Sequence, residues 1–146
     1  MNRQAANSFE QRERILANDC FHLEIEGIST AGFLSCSGLG GRVEVFEYLE
    51  GGMDTPSRFA GARSYTNLVL RRGLTTGNEL YEWFLRGDRR SGAVVLVSRH
   101  GEEKKRWEFT AAWPCAWQGP RLDAAVTRVA IEFIEIVHEG LRCRPS

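Results

Sequence analysis

The last third of the chain carries the pattern that most restricts its possible folds. Two tryptophans and two prolines lie close together in the run Trp113-Pro114-Cys115-Ala116-Trp117-Gln118-Gly119-Pro120. Each proline lacks a backbone N–H donor and pushes the residue before it into an extended conformation. We therefore predict a rigid, non-helical connection in this part of the chain.

The segment after this connection is rich in β-branched residues, which favour strands over helices. They are Val126, Thr127, Val129, Ile131, Ile134, Ile136 and Val137. This enrichment predicts one long strand over Val126–Val137, whose side chains alternate between two faces. One face would carry Val129, Ile131, Phe133 and Val137, and the other would include Arg128, Glu132 and His138. Such a strand would close a β-domain and meet neighbours on both faces.

Shorter alternating runs predict further strands and a single helix. The strands are Phe21–Ile25, Ala31–Ser37, Arg42–Tyr48 and Leu68–Arg72, followed by a hairpin of Val94–Ser98 and Arg106–Thr110. A capping box at Thr76 and Glu79 predicts a helix over Gly77–Leu85, with Leu80, Trp83 and Phe84 on its apolar face. These elements predict a mainly β protein in which two antiparallel sheets form a small sandwich or barrel with one short helix.

Two segments do not fit the regular pattern. Residues 50–65 contain three glycines and a proline, so composition alone predicts a mobile loop. We interpret residues 1–19 as an N-terminal arm that orders on a neighbour, with a possible short helix over Phe9–Ala17. The length of 146 residues favours one domain, and we predict a single β-domain over residues 20–146 after this arm.

Composition and spacing exclude several classes of function. Nineteen basic and nineteen acidic residues balance, so no overall charge favours nucleic acid or an anionic membrane. No apolar run is long enough for a membrane anchor, and the first residues lack the apolar region of a signal peptide. The cysteines show no paired metal-ligand spacing, and we expect them to be reduced, with two or three acting as small apolar fillers in strands. They are Cys20, Cys36, Cys115 and Cys143.

Enzymatic chemistry has no clear basis in this sequence. A catalytic base must lie beside its reacting partner, and the three histidines are scattered along the chain. The glycines of Gly38-Leu39-Gly40-Gly41 do not open a helix, so they lack the context of a dinucleotide site. We therefore predict no catalytic residue, cofactor or metal. A rival reading is a carbohydrate-binding β-sandwich module that uses exposed edges of Trp107, Trp113 and Trp117 and stays monomeric.

Short motifs follow one another in a definite order between about residues 20 and 141. They are Phe21–Ile28, Ala31-Gly32-Phe33, Ser37-Gly38-Leu39, Glu47–Gly52, Asn67–Gly73, the helix with Trp83, Arg106–Phe109, the Trp-Pro and Trp-x-Gly-Pro pieces, Ala130-Ile131-Glu132 and His138–Leu141. In this order they resemble the tail tube protein family of contractile-tailed phages and related contractile injection systems, including tailocins and extracellular injection particles. The resemblance covers nearly the whole chain.

The resemblance implies a fold like that of tail tube proteins and haemolysin-coregulated protein, and a structural function. Protomers would close into hexameric rings that stack into a tube, and DNA or protein cargo would pass through its lumen. The implied partners are further copies of the chain, a sheath protein, and baseplate and tail-terminator proteins. The tube would assemble in the cytoplasm and reside in a virion tail or injection particle. A tube initiator that joins the tube to a baseplate is the alternative, because the connector Arg86–Gly92 is short for the family.

The resemblance also directs attention to particular residues. In the family, the stretch matching residues 50–65 is a long hairpin or loop that reaches the next subunit; here Phe59-Ala60-Gly61 replaces its usual Leu-Pro-Gly. The candidates for contacts between subunits are Phe9, Leu16, Glu50, Arg58, Phe59, Arg63 and Tyr65. Glu24 and Glu44 are candidates for the lumen, since an acidic lumen would repel a DNA backbone.

Overall fold

The strands and the helix come from a computed structural model that describes residues 16–17, 20–28 and 32–145. In chain order they are β1 Phe21–Ile25, β2 Phe33–Ser37, β3 Gly41–Tyr48, β4 Ser57–Tyr65, β5 Leu68–Gly73, α1 Glu79–Arg86, β6 Arg90–Val97, β7 Glu103–Gln118, β8 Ile131–Val137 and β9 Gly140–Pro145. The predicted mainly β architecture with one short helix is confirmed within the described residues.

The long strand β7 joins two antiparallel sheets. Its first half pairs with β6 and β9, and β1 completes this first sheet beside β6. Its second half pairs with β8, and β5 and β2 complete the second sheet. The strand changes partners near Ala111, which has a positive φ of 51°. The two sheets therefore share one bent strand and face each other across a common core.

The Trp-Pro segment is extended, as its prolines require, but the prediction of a connection there is wrong. Trp113–Trp117 forms the second half of β7 and pairs with β8. Pro114 is tolerated because this half of β7 is an edge of the second sheet, and the register shifts between Pro114 and Ala116. The real connection begins after Gln118 and runs to Ala130.

The prediction of a strand over Val126–Val137 is wrong at its start. Strand β8 begins at Ile131, and residues 121–129 are exposed. The face of β8 that lies in the core carries Glu132, Ile134, Ile136 and His138, whereas Ile131 is exposed and Phe133 and Val137 are only partly buried. Two polar residues thus occupy the buried face because each finds polar partners there.

The core lies between the sheets and is closed by the helix. Its fully buried side chains include Leu23, Leu68, Leu70, Leu80, Trp83, Phe109, Ile134 and Ile136. Two of these, Leu80 and Trp83, belong to the predicted apolar face of α1. The indole N–H of Trp83 donates to the carbonyl of Asp88 at 2.8 Å, so the ring is buried without an unpaired donor.

The helix boundaries differ from the prediction. The helix α1 begins at Glu79, and its N-cap residue Asn78 makes no side-chain capping hydrogen bond. The predicted capping box is wrong because Thr76 is not the N-cap residue, and the Glu79 carboxylate contacts Arg72 at 3.1 Å. At the other end, Gly87 adopts a left-handed conformation and its N–H donates to the carbonyl of Trp83. The helix is too short and too polar to cross a membrane.

The stretch over residues 50–65 is mostly regular, so the mobile loop predicted from composition is wrong. Ser57–Tyr65 forms β4 and pairs with β3, which is the hairpin that the resemblance implied. Only the tip over residues 49–56 lies outside the strands.

Strand β2 begins at Phe33, and Ala31 lies outside the described residues. The predicted helix over Phe9–Ala17 also lies outside them, apart from Leu16 and Ala17, which are in no helix.

The chain between β2 and β3 approaches the start of β5 very closely. Gly38 has a φ of +95°, and a Cβ there would lie 2.0 Å from the carbonyl oxygen of Asn67. Because both the backbone angle and the space exclude a side chain, only glycine fits this position.

The cysteines are all free, but they do not share one role. Cys36 is partly buried in β2 and fits the predicted role of a small filler, whereas Cys115 and Cys143 are exposed in β7 and β9. Burial raises the pKa of the Cys36 thiol to about 11. Loss of solvation raises the pKa of Cys115 to about 11 as well, with a further contribution from the neighbouring Glu135 carboxylate.

We expect Cys115 to react slowly with a disulfide reagent at pH 8, although it is exposed. A pKa raised to about 11 leaves much less reactive thiolate than in a cysteine with a pKa of 9.0. The measurement is the labelling rate of a chain that retains only Cys115. Glu135→Gln in the same background should accelerate labelling by removing the negative charge, and a rate equal to that of a small free thiol would contradict the prediction.

Candidate assembly surface

The β3–β4 hairpin stands apart from the two main sheets. Within the described residues its strands pair only with each other, from Gly41 opposite Tyr65 to Tyr48 opposite Ser57. A two-stranded hairpin is marginally stable alone in water, because each strand has only one neighbour and little apolar surface is buried. This element is therefore an arm attached to the domain by its base.

The base of the hairpin is anchored through His138. One ring nitrogen of His138 lies 3.0 Å from the carbonyl oxygen of Thr66, and the other lies 3.2 Å from that of Gly140. The Tyr65 ring packs on the His138 ring with centroids 5.7 Å apart. Buried His138 thus ties the end of β8 to the last residues of the hairpin, and its polar atoms have partners.

The hairpin carries an unusual amount of exposed apolar surface. Its exposed apolar side chains are Val43, Val45, Phe46, Tyr48, Leu49, Met53 and Phe59. Phe46 is 54% exposed and Phe59 is 57% exposed, and the two lie opposite each other across the strands. Several large apolar side chains exposed together on one element of a folded chain mark a site of interaction with another protein.

Both faces of the hairpin contribute to this surface. Because side chains alternate along a strand, Phe46 and Phe59 lie on one face, and Val43 and Val45 lie on the other. The register shifts at Gly61, where a Cβ would lie 2.4 Å from the Phe46 ring. The glycine therefore lets the Phe46 ring lie flat across β4. An arm that is apolar on both faces is suited to insertion between neighbours.

The structure brings most of the candidate contact residues to this hairpin. Glu50 lies at its tip, and Arg58, Phe59 and Arg63 are exposed on β4. Arg58 pairs with Glu47 at 3.1 Å, an exposed ion pair that contributes little stability. Tyr65 lies at the base and contacts its own domain.

The N-terminal candidates lie elsewhere. Leu16 is exposed and lines an apolar cavity of about 340 Å³ between β1, β2 and β6. Phe9 lies outside the described residues.

The two candidate lumen residues have different surroundings. Glu24 lies on β1 and accepts hydrogen bonds from Arg106, with the closest atoms 2.7 Å apart. This hydrogen bond holds the pKa of Glu24 below its usual value. Glu44 is exposed on the hairpin, in β3. The Glu24 charge is therefore offset within the protomer, whereas the Glu44 carboxylate has no ion-pair partner among the described residues.

The three tryptophans of the carbohydrate-binding alternative do not form an exposed row. Trp107 and Trp117 both pack against the core, from different sheets. The Trp117 ring contacts Tyr81 and its N–H donates to Glu132, while the amino group of Lys105 lies over Trp107. Trp113 is also partly buried. All three tryptophans are thus partly buried and engaged within the protomer, which does not favour the carbohydrate-binding alternative.

A buried ionic cluster was missed by sequence reasoning. The Arg72 guanidinium is 1% exposed and donates to Glu132 on β8 and to Glu79 on α1, at 3.1 Å in both cases. Glu132 also accepts the indole N–H of Trp117 at 3.3 Å. The cluster joins β5, β8, β7 and the start of the helix. Both carboxylates are engaged by the guanidinium, so the cluster has a structural role.

The sequence contains an indication of one pair in this cluster, that of Arg72 and Glu132. Arg72 and Glu132 are charged residues that take inward positions on otherwise apolar alternating strands, and they face each other in the register of β5 and β8. Opposite charges at two such positions indicate a buried pair once the strands are known to be neighbours. The described residues contain no group of three or more side chains suited to hold a metal ion.

Comparison with known proteins gives one family match. The sequence model of the family described as T4-like virus tail tube protein gp19 matches residues 18–142. Among curated protein sequences, no match was found.

Several solved structures are similar to this fold. A chain of an extracellular contractile injection system, in a structure described as a PVC sheath-tube complex in the extended state, has a TM-score of 0.82 and 20% identity, with 100% of both chains covered. A chain from the terminating cap of the anti-feeding prophage tube has a TM-score of 0.82 and 22% identity, covering 92% of this chain and 93% of its own. A chain from the anti-feeding prophage baseplate has a TM-score of 0.81 and 23% identity, covering 91% of this chain and 97% of its own. At these identities the likeness shows a shared fold.

Proposed function

Because this chain belongs to the T4-like virus tail tube protein family, we propose that it is a structural subunit of the inner tube of a contractile tail or injection system. The observation that carries the proposal is the β3–β4 hairpin, which exposes apolar side chains on both faces and pairs with no other strand in the described part of its protomer. Such an arm gains stability only when a neighbour covers it. Its function is assembly and passage of cargo rather than catalysis.

The assembled form in this proposal is a stack of hexameric rings. Ring closure would cover the exposed sheet edges, among them β2 and the second half of β7, which each have one strand neighbour. Contacts from one ring to the next are head-to-tail, so they propagate into a filament. The hairpin and the N-terminal arm over residues 1–19 would make the contacts between subunits. DNA or protein would pass through the lumen, for which Glu24 and Glu44 remain the candidate lining residues.

The proposed partners are the other components of such a particle. A sheath protein would surround the tube, and baseplate and terminator proteins would hold its ends. The particle would be a virion tail or an extracellular injection particle assembled in the cytoplasm. Similar chains come from a sheath-tube complex, a cap and a baseplate, with nearly equal TM-scores. The baseplate chain favours a second candidate, a tube initiator that joins the tube to the baseplate.

The test is the assembly state of the purified chain. We expect mass photometry at rising concentration to show hexamers, and negative-stain microscopy to show rings or stacked tubes of uniform bore. Long tubes would support the main tube subunit, whereas single rings that seed tubes of another subunit would support the initiator. A strict monomer at high concentration, with specific glycan binding, would contradict the proposal and support the carbohydrate-binding module.

A further inference from the structure

A second exposed apolar surface lies between β7 and β8. Residues 121–130, here called the β7–β8 loop, include Leu122, which is 81% exposed, and Val129, which is 72% exposed. Val126 in the loop and Ile131 at the start of β8 are exposed too. The loop lies in the same chain as the hairpin but in a different part of the fold, so the protomer carries two separate apolar surfaces.

The β7–β8 loop has a defined shape. Asp123 accepts hydrogen bonds from the backbone N–H groups of Ala125 and Val126, at 3.0 and 3.3 Å. The carbonyl of Ala130 accepts the N–H of Leu74 at 2.8 Å, which attaches the loop to the end of β5. The loop borders a cavity of about 550 Å³ that is open to solvent. The cavity is lined by Leu122, Val126, Val129 and Ile131 together with Arg121 and Arg128. The cavity is a groove lined by both apolar and charged side chains.

The charges at this groove are not compensated by ion pairs. Arg121 and Arg128 line it, and neither has an ion-pair partner among residues 16–17, 20–28 and 32–145. Asp123, the acidic residue of the loop, also lines the groove and accepts the N–H of Ala125, so two positive charges and one negative charge give the groove a net positive charge. The groove therefore presents apolar side chains flanked by two arginines that are available to an acidic partner.

The tip of the β3–β4 hairpin has the complementary composition. Leu49 and Met53 are exposed apolar residues, 61% and 53% exposed, and they alternate with the acidic residues Glu50 and Asp54. In the described part of the chain, neither carboxylate has an ion-pair partner. The tip thus presents apolar side chains flanked by two negative charges, which match the two positive charges of the groove.

We propose that the hairpin tip, residues 49–54, of one protomer docks into the β7–β8 loop groove of a second copy. This inference rests on the proposed function, since it names the contact that joins copies of the chain. Apolar contacts would exclude water, and Glu50 and Asp54 would pair with Arg121 and Arg128. Tip and groove are different surfaces, so the contact is heterologous and each protomer is both donor and acceptor.

The experiment exchanges the charges. One chain carries Glu50→Lys and Asp54→Lys, and another carries Arg121→Glu and Arg128→Glu. Each alone faces like charges across the contact, so we expect the concentration required for assembly to rise at least tenfold, about the effect of an unfavourable charge pair. A chain with all four substitutions should assemble like wild type. A one-to-one mixture of the two double variants should also assemble, because alternating copies restore opposite charges at every contact.

The outcomes separate the two proposals. All four positions are exposed, so thermal melting should stay close to wild type. If wild type forms tubes and either double variant forms them equally well, the docking proposal is overturned. It is also overturned if both variants lose assembly but neither the combined chain nor the mixture regains it. If the variants build normal tubes but lose binding of a sheath subunit, the groove serves another partner. A wild-type chain that never assembles would instead contradict the proposed function.

Discussion

Replacing Phe46 and Phe59 with alanine should abolish ring and tube formation while leaving the melting temperature of the protomer almost unchanged. Both rings are more than half exposed, so their removal takes little from the protomer's own core. At an interface, truncation of a buried aromatic anchor costs about 2 kcal/mol or more. Two such losses weaken a contact roughly a thousandfold. The measurements are circular dichroism melting beside mass photometry and electron microscopy.

A matched control tests whether the hairpin itself is responsible. Leu85→Ala on α1 removes a side chain that is 64% exposed in another part of the fold, and we expect it to assemble normally. Phe109→Ala removes a fully buried ring and should lower stability by about 3–5 kcal/mol. A large fall in the melting temperature of the Phe46 and Phe59 variant would place these rings in their own core. Normal tubes would show that the contact lies elsewhere.

Breaking the buried ionic cluster should cause a large loss of stability. Glu132→Ala removes the buried partner of Arg72, and a guanidinium that is 1% exposed then loses one of its carboxylates. Removing one partner of a buried pair typically costs about 3–5 kcal/mol. The same change leaves the indole N–H of Trp117 without its acceptor. The free energy of unfolding, measured with urea on a chain kept monomeric at low concentration, gives the result.

A double variant without either charge gives the control for this loss. Arg72→Met combined with Glu132→Leu removes both charges, and we expect it to be more stable than Glu132→Ala, because no uncompensated charge stays buried. Glu47→Ala breaks the exposed pair with Arg58 and should cost less than about 1 kcal/mol. A loss below about 1 kcal/mol for Glu132→Ala would show that the cluster does not stabilise the fold.

Local patterns sufficed for much of the fold. The alternation in Phe21–Ile25 and the short apolar run Leu68–Leu70 predicted β1 and β5, because each strand turns one face to the core. The spacing of Leu80 and Trp83 likewise predicted the buried face of α1. The order of short motifs identified the family, which residues 18–142 confirm. It also drew attention to the stretch that forms β4, where composition alone predicted a loop.

Other features depend on residues that are distant in sequence. Trp113–Trp117 was predicted as a connection because prolines are rare inside sheets. Here, however, this half of β7 lies at the edge of a sheet, where the missing N–H of Pro114 does not break a hydrogen bond to a second neighbouring strand. The helix begins at Glu79 rather than at Gly77, and the Glu79 carboxylate binds Arg72 on β5, which is distant in the local pattern. Neither the pairing of β7 with β8 nor the contact of Glu79 with Arg72 can be predicted from the residues next to them in sequence.

The sequence by itself determined the mainly β class, most of the strands, the buried face of the helix and the family. The reason is that the alternation and spacing of apolar residues indicate which face of a single strand or helix is buried. Only the tertiary structure decided which elements meet. It set the change of partners along β7, the burial of Arg72 against Glu132 and the separation of the β3–β4 hairpin from the main sheets. It also placed the β7–β8 loop apart from the hairpin tip. These features follow from contacts between segments that are far apart in sequence, such as Arg72 and Glu132, which are 60 residues apart. The periodicity of a single segment does not reveal such contacts.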